Sequence, residues 1–335
     1  SSAAYRINKH GQIVGRYVDG IGHGYVWHNG NLRVLNSSDL FDINDAGQAV
    51  GVKNSRAIIW NPDGSITDVG LLPGYPSSFA FDINTHGEVV GFGWNDTEHR
   101  AFYWQNGVMQ DLGTLGGTMS EARGINDSKQ IVGISNFPGW GMYDYHGFYW
   151  QDGQMLDIGT LGGFMSSCWS INNQGIAVGY STLYADKYQR AITVEVGPGK
   201  TDLNDKIPAG SGWTLFYAHD ISNSGLIVGM GRTNEGDRGF LLTPISEPSN
   251  LVGITNRDAH HSIISMAKDN FQFRMWGRVL VIDGNKFTID DGSGLPVEVL
   301  FNGHNLISGN YVVVEGKLSG SNPPVLTANA VRRLN

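Results

Sequence analysis

An Ile-Asn pair recurs through most of the chain and limits what the chain can fold into. It stands at Ile7-Asn8, Ile43-Asn44, Ile83-Asn84, Ile125-Asn126 and Ile171-Asn172, with an altered copy at Ile221-Ser222. The spacings are 36, 40, 42 and 46 residues, and 50 to Ser222. A period of that length marks a solenoid, a propeller or an array. The surrounding copy is clearest over residues 120–163. It reads S-E-A-R-G-I-N-D-S-K-Q-I-V-G-I, then a loop, then H-G-F-Y-W-Q-D-G-Q-M-L-D-I-G-T-L-G-G.

Each copy divides into four short apolar runs. In the third copy these are Ser78–Asn84, Glu88–Phe92, Ala101–Trp104 and Val108–Leu112. The stretch Asn84-Thr85-His86-Gly87 is a tight turn whose glycine can take positive φ. Asn106-Gly107 between apolar runs is a strong hairpin signal. The same dipeptide signal recurs at Asn29-Gly30, Asp63-Gly64 and Asp152-Gly153. Four antiparallel strands in about 40 residues make a propeller blade. The period-two patterning and the 47 glycines exclude helical repeats. The expected fold is all-β: a six-bladed β-propeller over residues 1–243, with a β-solenoid as the other repeat architecture to weigh.

The pattern is weakest at the sixth copy. Its fourth strand is not evident after Pro244, and Leu251-Val252-Gly253-Ile254 is the nearest candidate. Residues 244–270, with paired His260-His261, read as a linker or strap. From Phe271 the chain gives five β-runs: Phe273–Asp283, Lys286–Asp290, Pro296–Phe301, Tyr311–Leu318 and Val325–Leu334. Five strands in so short a segment, 271–335, fit a small OB-like barrel.

The copies S-x-A-x-x-I-N-x-x-G-x-I-V-G and (H/R)-A-F-x-W-x-x-G-x-M-x-D-L-G-T-L-G-G resemble the extracellular HAF-repeat family of bacteria, over about residues 1–243. That resemblance implies a secreted or cell-surface location and brings no established enzyme activity. The segments Trp276-Gly277-Arg278-Val279, Phe287–Gly294 and Val312–Gly316 resemble OB-fold modules of bacterial surface proteins, where the module is an accessory. The start Ser-Ser-Ala-Ala, without Met, is the kind of mature end that signal-peptide removal leaves.

Composition narrows the function. The net charge is −8, so a nonspecific nucleic-acid partner is not expected, because phosphate neutralisation needs clustered Lys and Arg. No run of 18 apolar residues offers a membrane span. The single Cys168 cannot form an intrachain disulfide and reads as a small buried hydrophobe. No EF-hand loop, zinc spacing, G-x-S-x-G or Walker motif occurs, so neither metal, cofactor nor catalytic residues are expected.

Two residue sets invite a role. A basic or imidazole residue opens the third strand of every copy: His23, Arg56, Arg100, His146, Arg190 and Arg238. Sixfold repetition argues for structural pairing, with fourth-strand Asp68, Asp111, Asp157 and Asp202 or with Asp42, Asp82 and Asp220 as partners. A catalytic centre needs one arrangement, not six. Val34 stands at the fourth-strand position in the first copy, so the pairing is not universal. The tryptophans Trp27, Trp60, Trp104 and Trp150 are likewise expected between blades.

The nonrepeated aromatics are the candidate binding residues. They are Trp94, Phe137, Trp140, Tyr143, Tyr145, Tyr180, Tyr184 and Tyr188, assigned to loops between second and third strands. Loops carry function on a rigid scaffold. Exposed aromatics there could stack on sugars or bury against a partner.

The expected function is therefore a non-enzymatic extracellular structural protein. It would associate with copies of itself into a filament, tube or surface layer. The alternative is a carbohydrate-binding protein or polysaccharide lyase that presents a propeller face to a cell-surface polysaccharide.

Overall fold

The computed structural model describes residues 1–141, 144–183, 189–195, 199–208, 210–244, 251–253, 272–291, 296–301, 306–318 and 325–334. The chain divides into two compact units, Ser1–Pro244 and Ile245–Asn335.

The first unit is a succession of antiparallel sheets. The first sheet holds β1 (Ser2–Ile7), β2 (Ile13–Val18), β3 (Gly22–His28) and β4 (Asn31–Asn36). The second holds β5 (Ser38–Ile43), β6 (Ala49–Lys53), β7 (Arg56–Trp60) and β8 (Ile66–Gly70). The third holds β9 (Ser77–Ile83), β10 (Val89–Trp94), β11 (His99–Gln105) and β12 (Val108–Asp111). The fourth holds β13 (Ser120–Ile125), β14 (Ile131–Ser135), β15 (His146–Gln151) and β16 (Gln154–Asp157). The fifth holds β17 (Ser166–Ile171), β18 (Ile176–Thr182), β19 (Gln189–Glu195) and β20 (Gly199–Asp202). The sixth shows β21 (Thr214–Ile221), β22 (Ile227–Thr233) and β23 (Gly236–Leu242) among the described residues.

Within each sheet the strands pair in chain order. The first strands of successive sheets, β1, β5, β9, β13, β17 and β21, contact one another in turn. Sheets whose innermost strands neighbour each other around an axis form a β-propeller.

The Asn of the repeat makes the turn and the link to the next sheet at once. The Asn126 side-chain oxygen accepts from the backbone N–H of Ser128 and of Gln130, closing the turn between β13 and β14. Its amide donates to Gln130 Oε1 and to the carbonyl of Asn172 in the next sheet, at 2.9 Å. The same cross-sheet bond runs from Asn8 to Asn44, Asn44 to Asn84, Asn84 to Asn126 and Asn172 to Ser222. An amide supplies two acceptor sites and two donors, and Asn126 uses all four. The turn glycines have positive φ, Gly87 at 75° for example, and in the fourth copy Lys129 takes that conformation at 57°.

The glycine of I-V-G answers a different demand. Every first strand carries a β-bulge at the residue three before the repeat's Asn, or before Ser222 in the sixth copy. The bulge pushes a first-strand carbonyl toward the second strand. A Cβ on Gly91 would lie 1.8 Å from the Phe79 carbonyl oxygen, and on Gly133 2.0 Å from that of Glu121. Only glycine fits there.

Apolar clusters fill the junctions between successive sheets. Val90 and Tyr103 of the third sheet, for instance, pack with Ala122, Ile125, Phe148 and Trp150 of the fourth. Equivalent clusters join the first to the second, second to third, fourth to fifth, and fifth to sixth sheets. Cys168 occupies the Ala122 position in one of them, and burial pushes its thiol up to about 12.

Two local expectations need correction. The Asn29-Gly30, Asn106-Gly107 and Asp152-Gly153 turns have positive φ at both residues, as a type I′ turn requires. Asp63-Gly64 does not, because only Gly64 is at positive φ. There Pro62 takes the second turn position and makes a longer loop between Trp60 and Ile66. The Leu251–Ile254 candidate does not complete the sixth sheet. Its residues Leu251–Gly253 form β24, which pairs in parallel with Gln272–Arg274 of the second unit. This removes them from the expected linker, whose His260-His261 lies outside the described residues.

The second unit holds β24 (Leu251–Gly253), β25 (Gln272–Asp283), β26 (Lys286–Asp290), β27 (Val297–Leu300), β28 (Tyr311–Leu318) and β29 (Val325–Leu334). The order β25-β26-β27-β29-β28 returns to β25 through a further pairing, which closes the sheet on itself. Met275, Phe287, Ile289, Val299, Val314 and others form its core.

Replacing Asn126 by Ala strips a buried turn and a cross-sheet link of their partners. It is expected to cost about 2–4 kcal/mol, against about 1 kcal/mol for Asn8→Ala at the half-buried first copy. Urea unfolding of both variants checks the difference. Equal losses would refute the role assigned to the buried relay.

Candidate functional site

The bulges determine what lines the axis. In a regular strand, neighbouring side chains point to opposite faces. A bulge re-aims one of them, so two consecutive positions of each first strand line one axial channel. The positions three before the Asn, or before Ser222 in the sixth copy, are Tyr5, Phe41, Phe81, Arg123, Trp169 and His219, and with Arg6 they line a cavity of about 340 Å³ at one end. The next positions are Arg6, Asp42, Asp82, Gly124, Ser170 and Asp220. Beyond them, at the asparagine turns, lies a second cavity of about 350 Å³.

The aromatic rim is packed ring to ring. Tyr5 and Phe41 centroids lie 6.0 Å apart, and Phe41 meets Phe81 edge-on at 5.5 Å. Trp169 and His219 stack within 6° of parallel at 4.8 Å. The Arg123 guanidinium lies over Phe81, 5.9 Å from its centroid, and pairs with Glu121 at 2.7 Å. Glu121 also meets His99 at 2.8 Å.

Behind the rim, Arg6 stands between Asp42 at 3.7 Å and Asp220 at 3.6 Å. Burial works against its charge, but Asp220, Asp42 and Asp82 outweigh it and raise its pKa. Asp82 Oδ2 accepts from the Ile125 backbone N–H at 2.7 Å. Loss of water, then the nearby Asp42, pushes the Asp82 carboxyl well above the aspartate range, against the pull of Arg6. Burial opposes the charge of Glu121 too, yet His99 and Arg123 hold its carboxyl below the usual range. Burial and the charge of Arg6 push the His219 imidazole down. Among the described residues, no group of three or more His, Cys, Asp or Glu could hold a metal ion.

The third-strand basic residues do not converge on this channel. Arg56 pairs with Asp68 at 2.8 Å and His146 with Asp157 at 2.9 Å, both within their own sheets. Arg100 lies 3.9 Å from Asp111 and 3.3 Å from the Tyr75 hydroxyl. In the first sheet, where Val34 replaces the Asp, His23 meets Asn36 and Asp19. Arg190 sits opposite Ser181, while Asp202 instead accepts from Asn204. Arg238 pairs with Glu235 at 3.5 Å. Asp42, Asp82 and Asp220 belong to the axis rather than to these partners.

The aromatics assigned to loops scatter. Phe137 and Trp140 pack edge-on at 4.9 Å, and both meet the His146 ring of their own sheet. Tyr145 bonds the Tyr180 hydroxyl at 2.9 Å. Tyr180 is not a loop residue but a buried part of β18, tilted against Trp169. Trp94 ends β10 rather than following it, paired in register with His99. Tyr143, Tyr184 and Tyr188 lie outside the described residues. The axial aromatics were missed because the bulge hides them from any alternation pattern. Their constant distance from the repeat's Asn would have found them.

A second feature appears on comparing equivalent positions. Ile43, Ile83, Ile125, Ile171 and Ile221 are buried, but Ile7 is 64% exposed. Trp60, Trp104 and Trp150 are buried, but Trp27 is 40% exposed. Val14, Val50, Val90, Val132 and Val178 are inaccessible, but Val228 is 44% exposed, and Leu241 at the Tyr103 position is 60% exposed. Sheet one shows the face that other sheets turn to their predecessor, and sheet six the face that others turn to their successor. The two sheets meet near the axis at Arg6 and Asp220 and leave these outer faces uncovered.

No family model matches the sequence, and no curated protein matches it. Among solved structures, the chain is similar to the acylaminoacyl peptidase of Pyrococcus horikoshii, at 10% identity and a TM-score of 0.48. That match covers all of this chain and 52% of the peptidase, so the chain spans about half its length. It is similar to the β-propeller domain of the Trilobed protease from Pyrococcus furiosus at 10% identity, over 71% of this chain and 78% of that one, with a TM-score of 0.46. A puromycin-hydrolysing peptidase of Mycobacterium tuberculosis matches at 14% identity over 73% of this chain and 44% of its own, also at 0.46. At these scores the likenesses carry no argument about function.

The axial Asp82 has a measurable signature. Its raised folded pKa means the folded chain holds this proton more tightly than the unfolded chain does. Stability is therefore lost as pH rises from the ordinary aspartate value through the raised one. Asp82→Asn keeps an acceptor for Ile125 and removes the titration. The variant should gain about 2–4 °C in Tm over the parent between pH 4 and pH 7, the shift that roughly 1 kcal/mol gives in a domain of this size. A Tm difference that is flat or opposite in sign across that range, by scanning calorimetry, would count against this reading.

Proposed function

We propose that the chain is a six-bladed propeller followed by an OB-like barrel, and that it acts as a non-enzymatic extracellular structural subunit associating with copies of itself. The extracellular placement rests on the resemblance of the repeats to the HAF family. The barrel reading rests on the strand order that closes β25-β26-β27-β29-β28.

The observation that carries the assembly is the uncovered junction between the sixth and first sheets. Val228 and Leu241 stand on one face, and Ile7 and Trp27 on the other. At five other junctions, residues at these positions pack against each other. The surface that best fits the open face of sheet six is therefore sheet one of a second copy. Each large side chain so covered contributes about 1.5–3 kcal/mol. The contact joins two different surfaces, so it is heterologous, and repeated without closure it gives an open filament.

Sedimentation velocity at micromolar protein is expected to show species larger than monomer. Val228→Asp with Leu241→Asp should weaken the association at least tenfold, since each aspartate would be buried without a partner. A monomer whose Trp27 fluorescence is shielded from iodide would mean that the chain closes its own ring, and would overturn the assembly. A monomer with Trp27 freely quenched would overturn it equally.

A further inference from the structure

We propose that the axial cup lined by Tyr5, Phe41, Phe81, Trp169 and His219 binds a neutral pyranose sugar. The cup is built rather than incidental. In each first strand the same bulge re-aims the same position, and in each the facing strand carries the glycine that the bulge requires. Five of the six side chains so placed are aromatic or imidazole. A structural ring has no need of such variety, since the asparagine relay beneath already ties the sheets together. The positions that hold the sheets repeat, and the positions that face the channel differ from copy to copy.

The cavity of about 340 Å³ lies at the small end of the ~300–1,000 Å³ usual for small-molecule sites. That suits one or two sugar rings and not a peptide. Aromatic faces offer a flat apolar surface to the C–H face of a pyranose.

Charge then selects among ring-shaped ligands. Arg6 and Arg123 bring two fixed guanidiniums to the cup. Asp42 and Asp220 flank Arg6, and Glu121 pairs with Arg123. A cation meets the guanidiniums, while for an anion their charge is already answered by Asp42, Asp220 and Glu121, which pair with them from outside the lining of the cup. Sugar hydroxyls accept from guanidinium N–H groups without needing a net charge, and so suit a cup whose two arginines are already paired. His219 is pushed toward its neutral form and adds no charge to this balance.

The test uses the full chain and a panel of methyl pyranosides of glucose, galactose, mannose and N-acetylglucosamine. Methyl glucuronide and choline serve as the charged comparisons. Saturation-transfer difference NMR and tryptophan fluorescence titration read the binding. At least one neutral glycoside is expected to bind at millimolar concentration or tighter, with transfer strongest to its ring C–H protons. Phe41→Ala and Trp169→Ala should each lower its affinity at least tenfold while far-UV circular dichroism is retained. A variant that loses its fold is replaced by Phe41→Leu or Trp169→Leu, which keep apolar bulk without an aromatic face and should show the same loss. Absence of transfer from every neutral glycoside would overturn the proposal. Tighter binding of the glucuronide or of choline would overturn it, as would binding that both variants leave unchanged. None of these outcomes depends on self-association, which sedimentation reads separately.

Discussion

The structure depends on a polar constraint at its axis. Where strands converge around an axis, their turns bring backbone carbonyls together that no sheet ladder can satisfy. An unpaired buried carbonyl is costly. The Asn side chain resolves this from both directions. Its oxygen closes its own turn, and its amide caps the carbonyl of the next Asn, at 3.1 Å from Asn44 to Asn84 and 3.2 Å from Asn84 to Asn126. Serine has no amide to pass on, and the relay runs out at Ser222. The place where it runs out is also where the apolar junction is left uncovered.

Polar and apolar order are thus coupled. The relay holds the inner strands at a spacing that lets Val90 meet Ile125 and Val132 meet Ile171. The serine at the head of the first strand adds a tie farther out. Ser120 accepts from the Ala101 N–H of the preceding sheet and donates to the Gly113 carbonyl, and Ser166 does the same with Gly147 and Gly159. In the sixth copy a second bulge at Phe216 sets Leu215 opposite Gly231, where Ser120 stands opposite Ser135. The serine is thus replaced there, and Asn204 bonds the Leu215 N–H and carbonyl instead. Repeat architectures are sums of unit and neighbour terms, and their ends differ because one neighbour term is missing. Here both ends belong to one chain and stand side by side.

The channel shows how a repeat acquires individuality. The bulge and its glycine are common to all copies, but they leave the side chain at the bulge free to vary. Tyr5, Phe41, Phe81, Arg123, Trp169 and His219 share a backbone geometry and differ in chemistry. The third-strand bases do the reverse. Arg56 and His146 differ in chemistry yet make the same within-sheet pair with the fourth-strand Asp. Repetition of a partner is the mark of a structural role, and repetition of a place with changing residues is the mark of a lined site.

The sequence by itself determined the local structure. It located the four strands of the third copy, the hairpin turns at Asn106-Gly107 and Asp152-Gly153, and the strands at Lys286–Asp290 and Tyr311–Leu318. Turns and strand periodicity are set by residues within a few positions of one another, so a local pattern carries them. The tertiary structure alone decided the rest. Whether Leu251–Gly253 joins the sixth sheet or β25 depends on which edge it meets, not on its own residues. Tyr180 and Trp94 read as loop aromatics because alternation does not say where a strand stops. Phe41 and Trp169 were passed over because a bulge turns two successive side chains the same way, which no period-two pattern shows. Ile7 has the same local motif as Ile125 and cannot be told from it by sequence. One is exposed and the other buried because burial is a property of the neighbour, and only the packed fold says which copy lacks one.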